Sequence, residues 1–151
     1  MAWIGAAKKP AGCIFCNAFS SDDNRGHLVL ARTEHAFLIL NAYPYVSGHL
    51  MVALKRHVAV LMEARLEELT DVMTLVQRAV SALDGEYRPA GYNIGLNQGS
   101  VAGAGIADHL HMHVVPRWGG DSNFMPVVAD VRVLPETLDR TWERLWSRLG
   151  G

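Results

Sequence analysis

The chain has 151 residues, half of them hydrophobic and 19% charged, which suits one compact domain spanning 1–151 with a core that needs no disulfide staples. Its 14 basic and 15 acidic residues leave a net charge of −1. That balance excludes the broad basic face that binding a DNA or RNA backbone requires, and leaves room for a small anionic ligand held by a few donors. The only cysteines, Cys13 and Cys16, are too few and too close for a secreted disulfide framework. Met1–Pro10 lacks the pattern of a signal peptide, and no stretch reaches the roughly 18 apolar residues of a membrane span. The cytoplasm is the expected compartment.

Residues 1–26 read as loop with a short helical turn around the cysteines. Residues 27–31 and 36–41 read as neighbouring strands with a turn at Arg32–Glu34. Pro44 and Gly48 break the second strand, and 49–54 forms a third. From 66 to 84, Leu66, Leu69, Met73, Val76, Val80 and Leu83 step by three and four, which predicts a helix with that face buried. Gly85 and Pro89 are expected to end it. Residues 91–96 read as a strand, 97–108 as a glycine-rich loop, and 109–115 as a strand stopped by Pro116. Leu138, Trp142, Leu145 and Leu149 mark a last helix, with Pro135 suited to a first turn. About five strands with a long helix and a C-terminal helix, not regularly interleaved, predict an α+β fold with an antiparallel sheet.

The most informative stretch is 108–118, DHLHMHVVPRW. A strand repeats every two residues, so His109, His111 and His113 share one face and Leu110, Met112 and Val114 the other. Three imidazoles in a row are poor core material, because each has a donor and an acceptor to satisfy. A solvated edge strand and a metal-binding strip are the plain alternatives. Yet the three span about 13 Å at about 3.3 Å per residue. They cannot all reach one ion, so at least one has another task. A neutral imidazole is a competent nucleophile toward phosphorus near pH 7. The loop just before, with Gly99, Gly103 and Gly105, reads as a flexible turn or as a cradle of backbone N–H groups for phosphate.

Cys13-Ile-Phe-Cys16 has the spacing by which two thiolates bind one zinc; a redox dithiol and plain buried thiols are the alternatives. Arg117 reads either as a partner for a distal phosphate or as a surface arginine. Trp118, Trp142 and Trp146 read as core or interface rather than a ligand box. No H-E-x-x-H pattern supports a zinc-dependent hydrolase.

His109-Leu-His111-Met-His113-Val-Val resembles the His-φ-His-φ-His-φ-φ signature of the histidine triad (HIT) family. The resemblance extends over Cys13–Cys16, Asn41 to His49, Lys55-Arg56-His57 and Asn93 to Asn97, so it spans about residues 13–118. Residues 102–124 look most like a bacterial branch related to diadenosine tetraphosphate phosphorylases, with 119–151 as a variable C-terminal segment. The resemblance implies the HIT fold, a homodimer, and a nucleotide or dinucleoside polyphosphate as substrate. It implies that His111 attacks the α-phosphorus to form a nucleotidyl-histidine, that His113 contacts the phosphate and that His109 orients the site. His49 is similar to a fourth histidine near the triad, or is a satisfied core histidine. Asn41 matches a ribose-binding position, though a polar residue at a strand end is as often a turn former. Asn97, Gly105 and Ile106 match phosphate-contacting positions. Phe15, Phe37, Leu38 and Leu40 are candidates for the walls around the base, or core. Where many family hydrolases carry Gln-Ser or Gln-Thr, this chain has Gly105-Ile106, which removes two side-chain donors. The resemblance also implies a structural zinc held by Cys13, Cys16, His57 and His109. A purine nucleoside phosphoramidase and a non-catalytic nucleotide-binding scaffold are the other readings.

Overall fold

The computed structural model of the protein describes residues 12–121 and 136–150. Five strands form one antiparallel sheet: β1 (Val29–Arg32), β2 (Ala36–Leu40), β3 (Leu50–Leu54), β4 (Gly91–Leu96) and β5 (His111–Arg117). Their order is β1-β2-β3-β5-β4, with β4 and β1 at the edges. Helix α1 (Ile14–Ser20) precedes the sheet, α2 (Leu66–Tyr87) links β3 to β4, and α3 (Leu138–Leu149) follows β5. The α+β class, the antiparallel sheet and its two main helices are as the sequence predicts.

Both faces of the central strands are covered, and all ten residues of β2 and β3 are buried. This is why they read as unbroken apolar runs. Alternation splits them between two clusters. Ala36, Leu38, Leu40, Leu50, Val52, Leu54 and Val114 pack under α2. Phe37, Ile39, Met51 and Ala53 face the other way and pack with Phe15 and Ala18 of α1. Helix α1 is short, so its C-terminal carbonyls need donors. The Arg32 guanidinium supplies them, donating to the carbonyls of Ala18, Phe19 and Ser21.

Three expectations need correction. The long helix buries Val72, Leu75, Val76, Ala79, Ala82 and Leu83, whereas Leu66 and Met73 of the predicted stripe are 79% and 49% exposed. Two apolar stripes run side by side on this helix, and the sequence pattern merged them. The helix also passes through Gly85 to Tyr87 and ends at Arg88, which adopts φ +47°. Contacts with α3 hold this extra turn: Glu86 accepts from Arg144 and Arg148, and the Arg148 guanidinium packs where a Gly85 side chain would sit. Strand β5 starts at His111 rather than His109 and runs past Pro116 to Arg117. The neighbouring β3 begins at Leu50, opposite Val114, so at Pro116 that side has no ladder for the missing N–H to break.

Helix α3 lies over α2 and β1. Thr137 caps its start, and Pro135 lies outside the described residues. The Trp142 indole donates to the Val29 carbonyl and stacks on Trp146, so these two tryptophans are core-forming. Trp118 instead follows β5, where its N–H donates to Asp121.

Behind the site, Arg56 donates through Nε and Nη2 to the buried carboxylate of Glu68, which also accepts from the Arg65 N–H at the start of α2. The hydrogen bond from Arg56 is the main cause that holds the Glu68 carboxyl down at about 2. A carboxyl lowered in the folded state stabilises above its unfolded value of about 4.3, and that contribution fades as pH falls toward 2. Glu68→Gln is expected to cost about 2 kcal/mol at pH 7 and little near pH 2, read by urea denaturation at both. An equal cost at the two pH values would contradict this assignment.

Candidate active site and metal site

Strand pairing fixes what surrounds the histidines. Ala53 lies opposite His111 and Met51 opposite His113, while Phe37 and Ile39 stand one strand further on. On the other side Gly95 pairs with His113 and Asn93 with Val115. The histidine face is therefore the α1 face of the sheet.

His111 is buried, and its ring lies 4.8 Å from that of Phe15. Its Nδ1 donates to the backbone carbonyl of His109 at 2.8 Å. A neutral imidazole carries one proton, so this bond leaves Nε2 with the lone pair. Burial pulls the His111 pKa below the ordinary histidine value, against the raising effect of that hydrogen bond. Burial and then the neighbouring His111 do the same for His113.

A second relay orients His113. The Tyr45 N–H donates to His49 Nδ1 at 3.2 Å, which puts the His49 proton on Nε2. That Nε2 lies 2.9 Å from His113 Nδ1. His49 therefore donates to His113, whose own proton then sits on Nε2. His111 and His113, with ring centroids 5.0 Å apart, pair a bare nitrogen with an N–H donor. His49 is fully buried, so the core-histidine and near-triad readings describe one residue.

Asn41 makes a turn hydrogen bond, its Oδ1 accepting from the Tyr43 N–H, and its Nδ2 lies 3.4 Å from each nitrogen of His49. Asn97 is one residue beyond Leu96, which pairs with Met112, so it stands level with His111. Its Nδ2 lies beside Gly103, where φ is +93° and a Cβ would come within 3.7 Å. Gly105 is exposed, whereas Ile106 packs on the Phe15 cluster. Phe15 touches both His109 and His111, at 5.2 and 4.8 Å between ring centroids.

Leu40 is not brought to this face. It pairs with Leu50, which pairs with Val114, and all three pack under α2. Leu38 shares that placement, so Leu40 and Leu38 cannot line a ligand wall here; Ile39 and Phe37 take that side. Ile39 and Tyr45 were missed from sequence. Strand alternation flags Ile39 once the register to β5 is known; an aromatic four residues before His49 is the only signal for Tyr45.

His109 belongs to a different cluster. The ligand atoms of Cys13, Cys16, His57 and His109 all lie within 4.8 Å of one another. His109 Nδ1 is 3.2 Å from Cys13 Sγ, 3.6 Å from Cys16 Sγ and 3.1 Å from His57 Nδ1, and Cys16 Sγ is 3.4 Å from His57 Nδ1. His109 Nε2 donates to the Leu54 carbonyl at 2.7 Å, which leaves Nδ1 bare for a metal. Asp108 lies 3.6 Å from His57 Nε2 and can orient that ring similarly. Two thiols and two imidazoles at these separations fit a tetrahedral metal site with no open position.

Beyond His113 on the same face, Arg117 donates through Nε and Nη2 to both oxygens of Asp121 and through Nη1 to Asn93 Oδ1. The hydrogen bond from Arg117 holds the Asp121 carboxyl at about 2, so the pair is ionised and mutually neutralised. This favours a structural arginine over one reserved for phosphate.

An antiparallel sheet in an α+β fold thus carries an alternating run of histidines whose middle imidazole is held by a backbone carbonyl. The chain belongs to the HIT domain family, whose profile matches residues 24–120. It is 43% identical over 124 residues to AP-4-A phosphorylase of Mycobacterium tuberculosis, covering 80% of this chain and 64% of that protein. The chain thus spans somewhat under two thirds of that relative's length. It is 31% identical over 137 residues to adenosine 5'-monophosphoramidase of Schizosaccharomyces pombe, covering 91% of this chain and 98% of that one. Among solved structures, a zinc-bound histidine triad family protein from Mycobacterium smegmatis superposes with a TM-score of 0.72 at 26% identity, covering 92% of this chain and 94% of that one.

Proposed function

We propose that the protein is a nucleotidyl-transferring enzyme that cleaves a dinucleoside polyphosphate such as diadenosine tetraphosphate at an α-phosphate. The observation that carries this reading is the 2.8 Å hydrogen bond from His111 Nδ1 to the His109 carbonyl, which leaves Nε2 as the nucleophile. Nε2 bonds to the α-phosphorus as the bridging P–O bond breaks, and the departing nucleotide takes the electron pair. An oxygen of inorganic phosphate then attacks the same phosphorus and frees His111. The balance is diadenosine tetraphosphate plus phosphate giving ATP and ADP. His113 Nε2–H donates to a phosphoryl oxygen, and the Gly105 backbone and Asn97 hold the phosphate chain, with Asn41 on the ribose. Phe15, Ile39 and Ile106 form the apolar side of the nucleoside site. The AP-4-A phosphorylase relative supports this substrate and acceptor. The phosphoramidase relative supports a second reading, with the same intermediate and water as acceptor. Against it, the Gln-Ser donors of many family hydrolases are replaced here by Gly105 and Ile106.

Zinc is the metal we assign to Cys13, Cys16, His57 and His109, where it supplies a structural cross-link. The zinc-bound neighbour supports it. A reducing compartment such as the cytoplasm keeps both thiols available. We further propose a homodimer. Leu66 and Met73 on α2, and Ile94 on the edge strand β4, expose apolar side chains and an unpaired strand edge that a second copy would cover.

With diadenosine tetraphosphate, ADP is expected only when phosphate is present, and His111→Ala should abolish turnover while nucleotide affinity changes by less than about tenfold. Undiminished turnover in that variant would refute the covalent role, and AMP formation independent of phosphate would refute phosphorolysis. Metal analysis of the purified protein should give about one zinc per chain; none, with both thiols freely titratable, removes the site. Sedimentation equilibrium should give a dimer, and Leu66→Glu combined with Met73→Glu should give a monomer. A monomeric parent protein sinks that proposal.

A further inference from the structure

We propose that the cavity beyond His113 receives the nucleobase of the departing nucleotide, so that recognition of two nucleosides is built into the histidine face. The inference rests on the dinucleoside polyphosphate reading above and locates the second half of that substrate.

The cavity has a volume of about 390 Å³ and is lined by Tyr45, Val46, Asn93, Val115, Arg117 and Asp121. That size lies within the range of small-molecule sites. Strand alternation puts Val115 and Arg117 on the face that carries His111 and His113, and Asn93 stands opposite Val115 on β4. The cavity is therefore a continuation of the histidine face toward the end of β5. Phe15 and α1 occupy the other end, beside His109 and His111.

Charge decides what class of group fits. A phosphate in this cavity would find its one guanidinium, Arg117, already matched on two bonds by Asp121 and on a third by Asn93. A neutral, flat heteroaromatic ring suits the lining better. Val46 and Val115 give apolar contact, and Tyr45 gives an aromatic face: its side chain is 58% exposed and its ring lies 4.8 Å from that of His49. Asn93 Oδ1 accepts from Arg117, which leaves the amide N–H groups to donate to a ring nitrogen or carbonyl. Such a mix of stacking surface and edge-reading polar groups recognises a base.

Reach makes the same selection. From His111 to Val115 is four residues, about 13 Å along the strand. A small amine bonded directly to the α-phosphate falls short of that distance. A chain of several phosphates spans it and delivers its terminal nucleoside to the cavity.

Calorimetric titration of the His111→Asn protein tests this without turnover. Diadenosine tetraphosphate is expected to bind at least about tenfold more tightly than adenosine 5'-tetraphosphate, which has the phosphates but no second base. In the same background, Val115→Phe should fill the cavity and Tyr45→Ala should remove its aromatic wall. Each should bring the affinity ratio to within about twofold of one. Tyr45 is exposed, so its variant serves even where Val115→Phe fails to fold. Equal affinities in the parent, or a preference that survives in a folded variant, overturns the proposal. The readout is binding, so such a failure leaves the His111 turnover result standing, and the converse also holds.

Discussion

The site depends on one hydrogen bond, from His111 Nδ1 to the carbonyl of His109. A neutral imidazole free to choose its tautomer would present a lone pair at Nε2 only part of the time. The backbone acceptor removes that choice. The carbonyl is itself held, because the His109 side chain is anchored at both nitrogens: Nε2 donates to Leu54, and Nδ1 faces the thiols of Cys13 and Cys16 and the ring of His57. The N-terminal cysteines are thus linked to His111 through two residues of backbone. The four side chains that could hold a metal lie beside His111 and His113 without including either.

Three histidines in a row, two buried and the third half-buried, are normally a liability, since an unpaired polar group in a core costs about 1–3 kcal/mol. Here each has a defined partner. His109 has Leu54 and the thiol cluster, His111 has the His109 carbonyl, and His113 has His49. The relay ends on the Tyr45 N–H, a backbone group that carries no ionisable proton. Burial disfavours the charged form of all three, and at His109 the opposing pull of Asp108 does not reverse it. The strand therefore combines close packing with neutral, oriented rings.

Much of this was legible before any coordinates. Period-two alternation from His109 to His113 and the long helix followed from spacing, and the gathering of His57 and His109 with the cysteines followed from family resemblance. What failed shares one cause: each error needed a contact from another element. Leu40 and Ile39 are both apolar and adjacent, and only the register of β2 through β3 to β5 says which faces the histidines. Gly85 looked like a helix end because the arginines of α3 that hold the last turn lie some sixty residues away. Leu66 and Met73 looked buried because spacing cannot tell a core stripe from an exposed one beside it. Pro116 looked like a stop because sequence does not show that the neighbouring strand has already ended.

The same register grades the histidine face along β5. Every second residue from His109 to Arg117 points to one face, and its character changes along the strand. At the start is His109 in its cluster with the cysteines, then His111 with its bare Nε2, then His113 with its N–H, then the apolar Val115, and last an arginine neutralised by Asp121. No unpaired cation stands on this strand where a long polyphosphate would lie. In the proposed reaction, phosphate recognition falls to neutral groups, namely the His113 N–H, the Asn97 amide and the glycine-loop backbone. Neutral donors hold an anion less tightly than fixed cations do, which in that reaction lets a charged product leave. A chain with a net charge of −1 and no basic face fits that arrangement.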